Sequence, residues 1–271
     1  MRKTVLILFL HATFFSVAQI KIISWNIQNF GRSKSDSEIA YISEVVKNAD
    51  LIALQEVVAG YGGSQAVAKL ANELNRSGAK WDYVVSDVTT SSAYKAERYA
   101  FLWKSKSIKK IGNAWLEQNF ELEIDREPFF CTFEFNKKQF TVVNFHAITK
   151  KMQPETEIKY FKFLPAQYPN LNLIFMGDFN CPQSHSVFNP LRKMGFESVL
   201  KNQKTSLKQS CEDLNCLASE YDNIFYNTSK VKCLNAGLIS FFDDFDDFKI
   251  AKQISDHVPI FGSFVMLQVL F

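Results

Sequence analysis

Phe129-Phe130-Cys131-Thr132-Phe133-Glu134-Phe135, the link Asn136-Lys137-Lys138-Gln139, then Phe140-Thr141-Val142-Val143-Asn144-Phe145-His146: two apolar, strand-like runs stand either side of a turn. Parallel neighbours need a crossover of a dozen or more residues. The turn is too short for that, so the two runs pair antiparallel, and a purely parallel doubly wound sheet does not fit.

Working outward, strand-like runs lie at Ile20–Trp25, Leu51–Leu54, Trp81–Ser86, Tyr99–Trp103, Leu171–Met176, Ile224–Tyr226 and Val258–Val265. Helical spacing appears over Ser35–Asn48, with Ile39, Ile42, Val45 and Val46 on one face, and over Ser64–Asn75, with Val67, Leu70, Ala71 and Leu74. Ser64 reads as the N-cap of that helix. Glu155–Leu164 and Ser184–Lys193 also read as helical. Strands alternating with helices, and adjacent strand pairs in the middle, predict an α/β chain of two packed sheets covered by helices.

Met1-Arg2-Lys3 precedes an apolar run from Thr4 to Val17, and Ser16-Val17-Ala18 puts small residues where a signal peptidase reads. This predicts a cleavable signal peptide over 1–18, a single domain over 19–271, and a secreted or periplasmic location. No other segment has the ~18 uninterrupted apolar residues of a membrane helix, so no stable membrane association is expected. Loss of Arg2 and Lys3 from the 31 basic residues leaves 29 against 28 acidic ones, close to neutral. A protein that grips nucleic acid by bulk charge would be far more basic, so any such partner needs a local patch. Lys104-Ser105-Lys106-Ser107-Ile108-Lys109-Lys110 is either that patch or an exposed strand edge or turn.

There are five cysteines. Export would permit disulfides: one bridge is expected among Cys181, Cys211 and Cys216, and Cys131 reads as a core thiol. No C-x-x-C pair or H-E-x-x-H helix points to zinc. The run Phe241-Phe242-Asp243-Asp244-Phe245-Asp246-Asp247-Phe248 reads as a solvated loop with packed phenylalanines, or as a structural Ca²⁺ site.

One pattern recurs along the chain. An apolar strand ends in a side chain that can bind metal or move a proton: Asn26, Glu56, His146, then Asp178 and Asn180. Asp256 and His257 stand just before the last strand. Carboxylates and amides are hard oxygen ligands suited to Mg²⁺, Mn²⁺ or Ca²⁺, and histidines serve as acid, base or phosphate clamp near neutral pH. One such residue at a strand end is usually part of a turn; five in one chain are hard to assign to turns. Phosphodiester hydrolysis needs a cation, a group that activates water and donors for the transition state.

The ordered set Trp25-Asn26-Ile27-Gln28-Asn29-Phe30-Gly31, Leu54-Gln55-Glu56-Val57, Asn144-Phe145-His146, Gly177-Asp178-Phe179-Asn180, Tyr221-Asp222-Asn223-Ile224 and Ser255-Asp256-His257 resembles the endonuclease/exonuclease/phosphatase superfamily. Tyr94-Lys95-Ala96-Glu97-Arg98-Tyr99 and Arg126-Glu127-Pro128 resemble its deoxyribonuclease I branch. The resemblance implies an α/β four-layer α-β-β-α sandwich of two mixed sheets and metal-dependent cleavage of phosphodiesters. It implies Glu56 as principal metal ligand with Asn26 beside it, and Asp256 supporting a metal or water. His146 would contact phosphate, oriented by Glu97; His257 would be the matching base or clamp, oriented by Asp222. Asp178 and Asn180 would position water, and Tyr94, Arg98 and Arg126 would meet the substrate. Double-stranded DNA, cut by a monomer with low sequence specificity, is the implied substrate, since phosphate contacts carry no sequence information. Two positions depart from the branch: Val58 stands where it has a groove-entering arginine, and Asn223 where an arginine is common. The competing readings are a phosphomonoesterase or lipid phosphodiesterase of the same superfamily, acting on inositol phosphates or sphingomyelin, and a non-catalytic module, which the complete residue set disfavours.

Overall fold

The computed structural model describes residues 18–92, 95–212 and 215–267. Residues 1–17 of the expected signal peptide, and Tyr94, lie outside the described residues. The strands are β1 Ile20–Phe30, β2 Leu51–Val58, β3 Trp81–Val85, β4 Glu97–Lys104, β5 Ile108–Leu116, β6 Phe129–Phe135, β7 Lys138–His146, β8 Leu173–Asp178, β9 Phe196–Ser198, β10 Leu207–Glu212, β11 Asn215–Leu217, β12 Asp222–Asn227, β13 Val231–Leu238 and β14 Ile260–Met266. The helices are α1 Asp36–Val46, α2 Tyr61–Arg76, α3 Glu155–Ile158, α4 Leu164–Gln167, α5 Asn189–Lys193 and α6 Phe248–Ile254.

Two six-stranded sheets form, in the orders β13-β14-β1-β2-β4-β3 and β5-β6-β7-β8-β12-β9. Each is mixed: β1 and β2 are parallel, as are β7 and β8, and the remaining pairs are antiparallel. The quoted pair β6–β7 is antiparallel, with Phe129 opposite Asn144 and Phe135 opposite Lys138.

Side-chain alternation builds the layers. Along β1, Ile20 and Ile22 enter the space between the sheets, where Phe101, Phe129, Cys131, Phe133, Phe140 and Phe264 also pack. Ile23, Trp25 and Ile27 face the other way, onto Ile39 and Ile42 of α1, Val67 and Leu70 of α2, and Ile254 of α6. On the second sheet, Phe145, Phe175 and Phe225 face outward onto Ile158 of α3, Phe161, Leu164 of α4 and Phe188. The result is the four-layer α-β-β-α sandwich. Each fully buried Phe contributes about 2 kcal/mol through area removed from water.

Local signals explain some boundaries and correct others. Ser35 and Glu38 form a capping box at α1. Helix α2 begins three residues before the expected cap: Gly60 is its N-cap and Ser64 lies inside. Gly63 permits this, because a Cβ there would fall 2.0 Å from the carbonyl oxygen of Val58. The two later helical runs are broken into short turns around Pro165 and Pro190, which lack the N–H needed to continue a helix and instead open new ones. Cys211 and Cys216 are bridged across β10–β11, while Cys131 and Cys181 are buried free thiols.

The Lys104–Lys110 stretch is strand end, turn and edge strand. It sits at the far end of β4 from Glu97, about 23 Å away at strand rise, so it is not the patch beside the candidate site. In the Phe/Asp run, Phe241 and Phe242 are buried, Asp244 accepts from the Tyr41 hydroxyl at 2.7 Å and Asp247 caps α6. Among the described residues no three of its acids converge at ligand distance, and Asp243, Asp244, Asp246 and Asp247 are exposed. No helix of the described residues is long and apolar enough to cross a membrane.

Candidate active site

All the strand-end residues meet at one end of the sandwich. β1 and β2 run toward it, as do β7 and β8, while β4, β12 and β14 run away from it. Strand register then places His146 opposite Asp178, and Asp178 opposite Asp222. Glu56 reaches the same floor by a different device. The β2–β4 register shifts between Leu54 and Val57, and Glu56 has φ +57°. A left-handed conformation at a non-glycine residue is uncommon and costs about 1 kcal/mol. Here it turns the carboxylate toward Asn26 while Gln55 stays buried between the sheets, bonded to Asn144 at 2.6 Å.

Asp178 is the hub. Its Oδ2 lies 3.5 Å from His146 Nε2, 3.6 Å from His257 Nε2, and accepts from Asn26 Nδ2 at 3.2 Å. Its Oδ1 accepts from the Asn180 backbone N–H at 2.8 Å. Asn26 Nδ2 also donates to Glu56 at 3.1 Å, and the Asn29 backbone N–H donates to the other Glu56 oxygen at 3.0 Å. Asn180 Nδ2 holds the carbonyl of Ala147 at 3.1 Å.

Each histidine has a carboxylate behind it, and each pair crosses from one sheet to the other. His146, on β7, faces Glu97 of β4 through Nδ1 at 3.0 Å. His257, on the segment entering β14, faces Asp222 of β12 through Nδ1 at 2.7 Å. Burial would lower both imidazoles. Glu97 outweighs it for His146, and Asp222 with Asp178 outweighs it for His257, so His146 is held above, and His257 well above, the ordinary histidine range. Burial would push Asp178 up, but the two imidazoles, the Asn180 N–H and the Asn26 amide hold it below the usual carboxylate range. The floor is thus two imidazoles, both biased toward their protonated form, aimed at one carboxylate.

Asp178, Asp222 and His257 offer ligand atoms within 4.8 Å of one another, a spacing that could hold a metal. The His257 ring lies between the two carboxylates, however, with Nδ1 toward Asp222 and Nε2 toward Asp178. Those atoms satisfy one another. Oxygen atoms without a partner lie elsewhere: Asn26 Oδ1 and Asp256 Oδ1 are buried and unbonded. Gln28 holds the other Asp256 oxygen at 3.2 Å. Glu56, joined to Asn26 through the amide at 3.1 Å, adds carboxylate oxygens, and hard oxygen donors of this kind suit a divalent cation.

Arg126 and Arg98 both hold backbone carbonyls. Arg126 is buried; its Nε donates to the carbonyl of His146 at 2.9 Å, Nη2 to the carbonyl of Ala147, and Nη1 stands 3.7 Å from Glu97. Its charge acts from behind His146. Arg98 donates to the carbonyls of Ala59 at 2.9 Å and Ser86 at 2.7 Å, bracing the loops beside β4. Thr205 was not foreseen: it donates to Asp222 at 2.6 Å, and nothing in its sequence surroundings marked it.

A model of the Endonuclease/Exonuclease/phosphatase family matches residues 23–257. Deoxyribonuclease gamma of Homo sapiens is 27% identical over 96% of this chain and 90% of its own length. Deoxyribonuclease gamma of Mus musculus is 30% identical, over 96% and 88%. A deoxyribonuclease of Thioalkalivibrio sp. (strain K90mix) is 25% identical, over 92% and 72%. Among solved structures, an endonuclease/exonuclease/phosphatase family protein from Bacteroides thetaiotaomicron superposes with TM-score 0.66 at 15% identity, covering 94% of this chain and 100% of that one. A mannosyl-6-phosphatase from the same species superposes at 0.63 with 17% identity, over 91% and 100%. At such identities the superpositions speak for the fold alone. The chain belongs to the endonuclease/exonuclease/phosphatase family. Within it, the chain falls in the deoxyribonuclease I-like branch, whose members hydrolyse phosphodiester bonds.

Proposed function

We propose that this chain is an exported, divalent-cation-dependent endonuclease that nicks double-stranded DNA with low sequence specificity, working as a monomer. The observation that carries the chemistry is the convergence of two carboxylate-backed histidines on Asp178, beside Glu56 and Asn26. Two arguments favour DNA: the relatives named deoxyribonuclease align over most of the chain, and the Tyr94–Tyr99 and Arg126–Pro128 stretches carry that branch's pattern. Export rests on the charged start, apolar run and small residues of 1–18.

Glu56, Asn26 and Asp256 would hold Mg²⁺ or Mn²⁺, which when bound offsets charge on the phosphoryl oxygens. His146 and His257, whose protonated forms are favoured by Glu97 and Asp222 behind them, act as donors to the phosphate, and one supplies the leaving group's proton. That favours the clamp over the base role for His257. Asp178, the anion between them, is placed to take the proton of the attacking water. Asn180, fixed by Ala147, steadies that water. Glu97 and Asp222 orient the imidazoles and keep them charged.

Supercoiled plasmid with Mg²⁺ or Mn²⁺ is expected to convert to nicked circles, and chelator to stop the conversion. Glu56→Gln should need more metal for the same rate. Absence of nicking together with turnover of an inositol phosphate or sphingomyelin would transfer the assignment to that other class.

The pH response has a definite sign. The reaction uses protonated His257, so activity falls as pH rises through its transition. Asp222→Asn removes the charge that raises His257, the protonated form gives way at lower pH, and the alkaline limb of kcat moves down. A limb that stays or moves up would show that the positive charge of His257 is not used.

A further inference from the structure

We infer that Thr205 is a positioning residue for the Asp222–His257 pair, acting through a side-chain hydroxyl whose hydrogen is held on one acceptor; this deepens the proposed reaction and rests on it. Thr205 is fully buried. Its Oγ1 receives two backbone N–H groups, from Asp222 at 2.9 Å and Tyr221 at 3.1 Å. A hydroxyl has two acceptor sites and one hydrogen. With both acceptor sites taken, the hydrogen goes to Asp222 Oδ2 at 2.6 Å, in preference to the Ser219 carbonyl at 3.5 Å. That carboxylate oxygen is the one that receives His257 Nδ1 at 2.7 Å. One oxygen thus accepts from a hydroxyl and an imidazole together, and their directions fix the plane of the carboxylate.

The rest of Thr205 reaches the other member of the pair. Its carbonyl accepts from the Val258 N–H at 2.7 Å, and the Leu207 N–H donates to the Asp256 carbonyl at 2.7 Å. Ser206 and His257 form a bridge between these two segments. Thr205 N–H donates to the Ser219 carbonyl at 2.7 Å, at the foot of the β10–β11 hairpin closed by Cys211–Cys216. One residue therefore ties the carboxylate, through its side chain, to the backbone that carries the imidazole. Loss of the hydroxyl lets the carboxylate swing while leaving the segment in place. The rate is then lost in the step that needs the imidazole aligned, and substrate affinity is spared.

The test uses the full chain with Thr205→Val, which keeps the branched shape, and Thr205→Ser, which keeps the hydroxyl. Thr205→Val is expected to lower kcat for plasmid nicking by about tenfold or more with KM within about twofold, and Thr205→Ser to recover most of the loss. In an Asp222→Asn background Thr205→Val should cost little further, because its route of action is already cut. The downfield proton resonance of His257 Nδ1–H, assigned by its disappearance in His257→Ala, should move and exchange faster in Thr205→Val. That signal requires no turnover, so it tests Thr205 even if the protein proves not to cut DNA. Wild-type kcat in Thr205→Val, equal damage from Thr205→Ser, full additivity with Asp222→Asn, or an unmoved resonance in a folded Thr205→Val would each overturn the inference.

Discussion

Asp178→Asn is expected to lower kcat by about 10²–10⁴-fold, the range set by removing a positioned proton-transfer group, with the protein still folded. The change is nearly isosteric, so packing survives. What it removes is the one negative charge that both Nε2 atoms face and that Asn26 and Asn180 help to hold. Three effects act together: the water loses its proton acceptor, both imidazoles lose part of their upward pull, and the amide presents its own hydrogens to one histidine. Because the groups act as a unit, adding His146→Ala to Asp178→Asn should cost far less than the product of the two single losses. Single-turnover nicking by the variants measures this. A loss smaller than tenfold for Asp178→Asn would remove Asp178 from the reaction.

Gly177→Ala is the second large effect, and it acts on folding. Gly177 has φ +136°, and a Cβ there would lie 1.8 Å from the carbonyl oxygen of Phe145, its partner in the parallel β7–β8 register. Neither backbone can yield, because both strands are central in their sheet. The cost is on the order of 3–5 kcal/mol, or a Tm lower by about 10 °C for a chain of this size. Gly78→Ala is the control: φ is +95° there, but nothing lies within 4 Å of the added Cβ, so only conformational strain applies, about 1 kcal/mol. Thermal unfolding of the two variants separates them. Equal Tm values would mean that the close approach at Gly177 is relieved by small shifts.

Much of this architecture could be read from the chain because its reasons are local. The β6–β7 pair follows from a short turn, and the convergence of Asn26, Glu56, His146 and Asp178 follows from strands that end in chemistry. The Ser35 cap and the Cys211–Cys216 bridge were also within reach. What escaped the sequence depends on long-range context. The edge strands β5 and β13 carry exposed lysine and asparagine, so their alternation is faint. Ser64 looked like a cap because the close contact that lets α2 start at Tyr61 involves Gly63 and a strand end. A motif marks Arg126 and Arg98, but the carbonyls they hold are visible only in the fold. Thr205 has no motif at all, since its significance comes from Asp222, His257 and Ser219 gathered around it.

Both imidazole–carboxylate pairs reach across the gap between the sheets, His146 to Glu97 and His257 to Asp222. The phenylalanine layer in that gap is therefore a shim: its thickness sets how far each carboxylate stands from its ring. Trimming one of these rings far below the floor, Phe133 for instance, would let the two leaves settle and detune both pairs at once. Neither leaf holds a working centre by itself, so cutting power arrives only when the two halves of the chain have closed on one another.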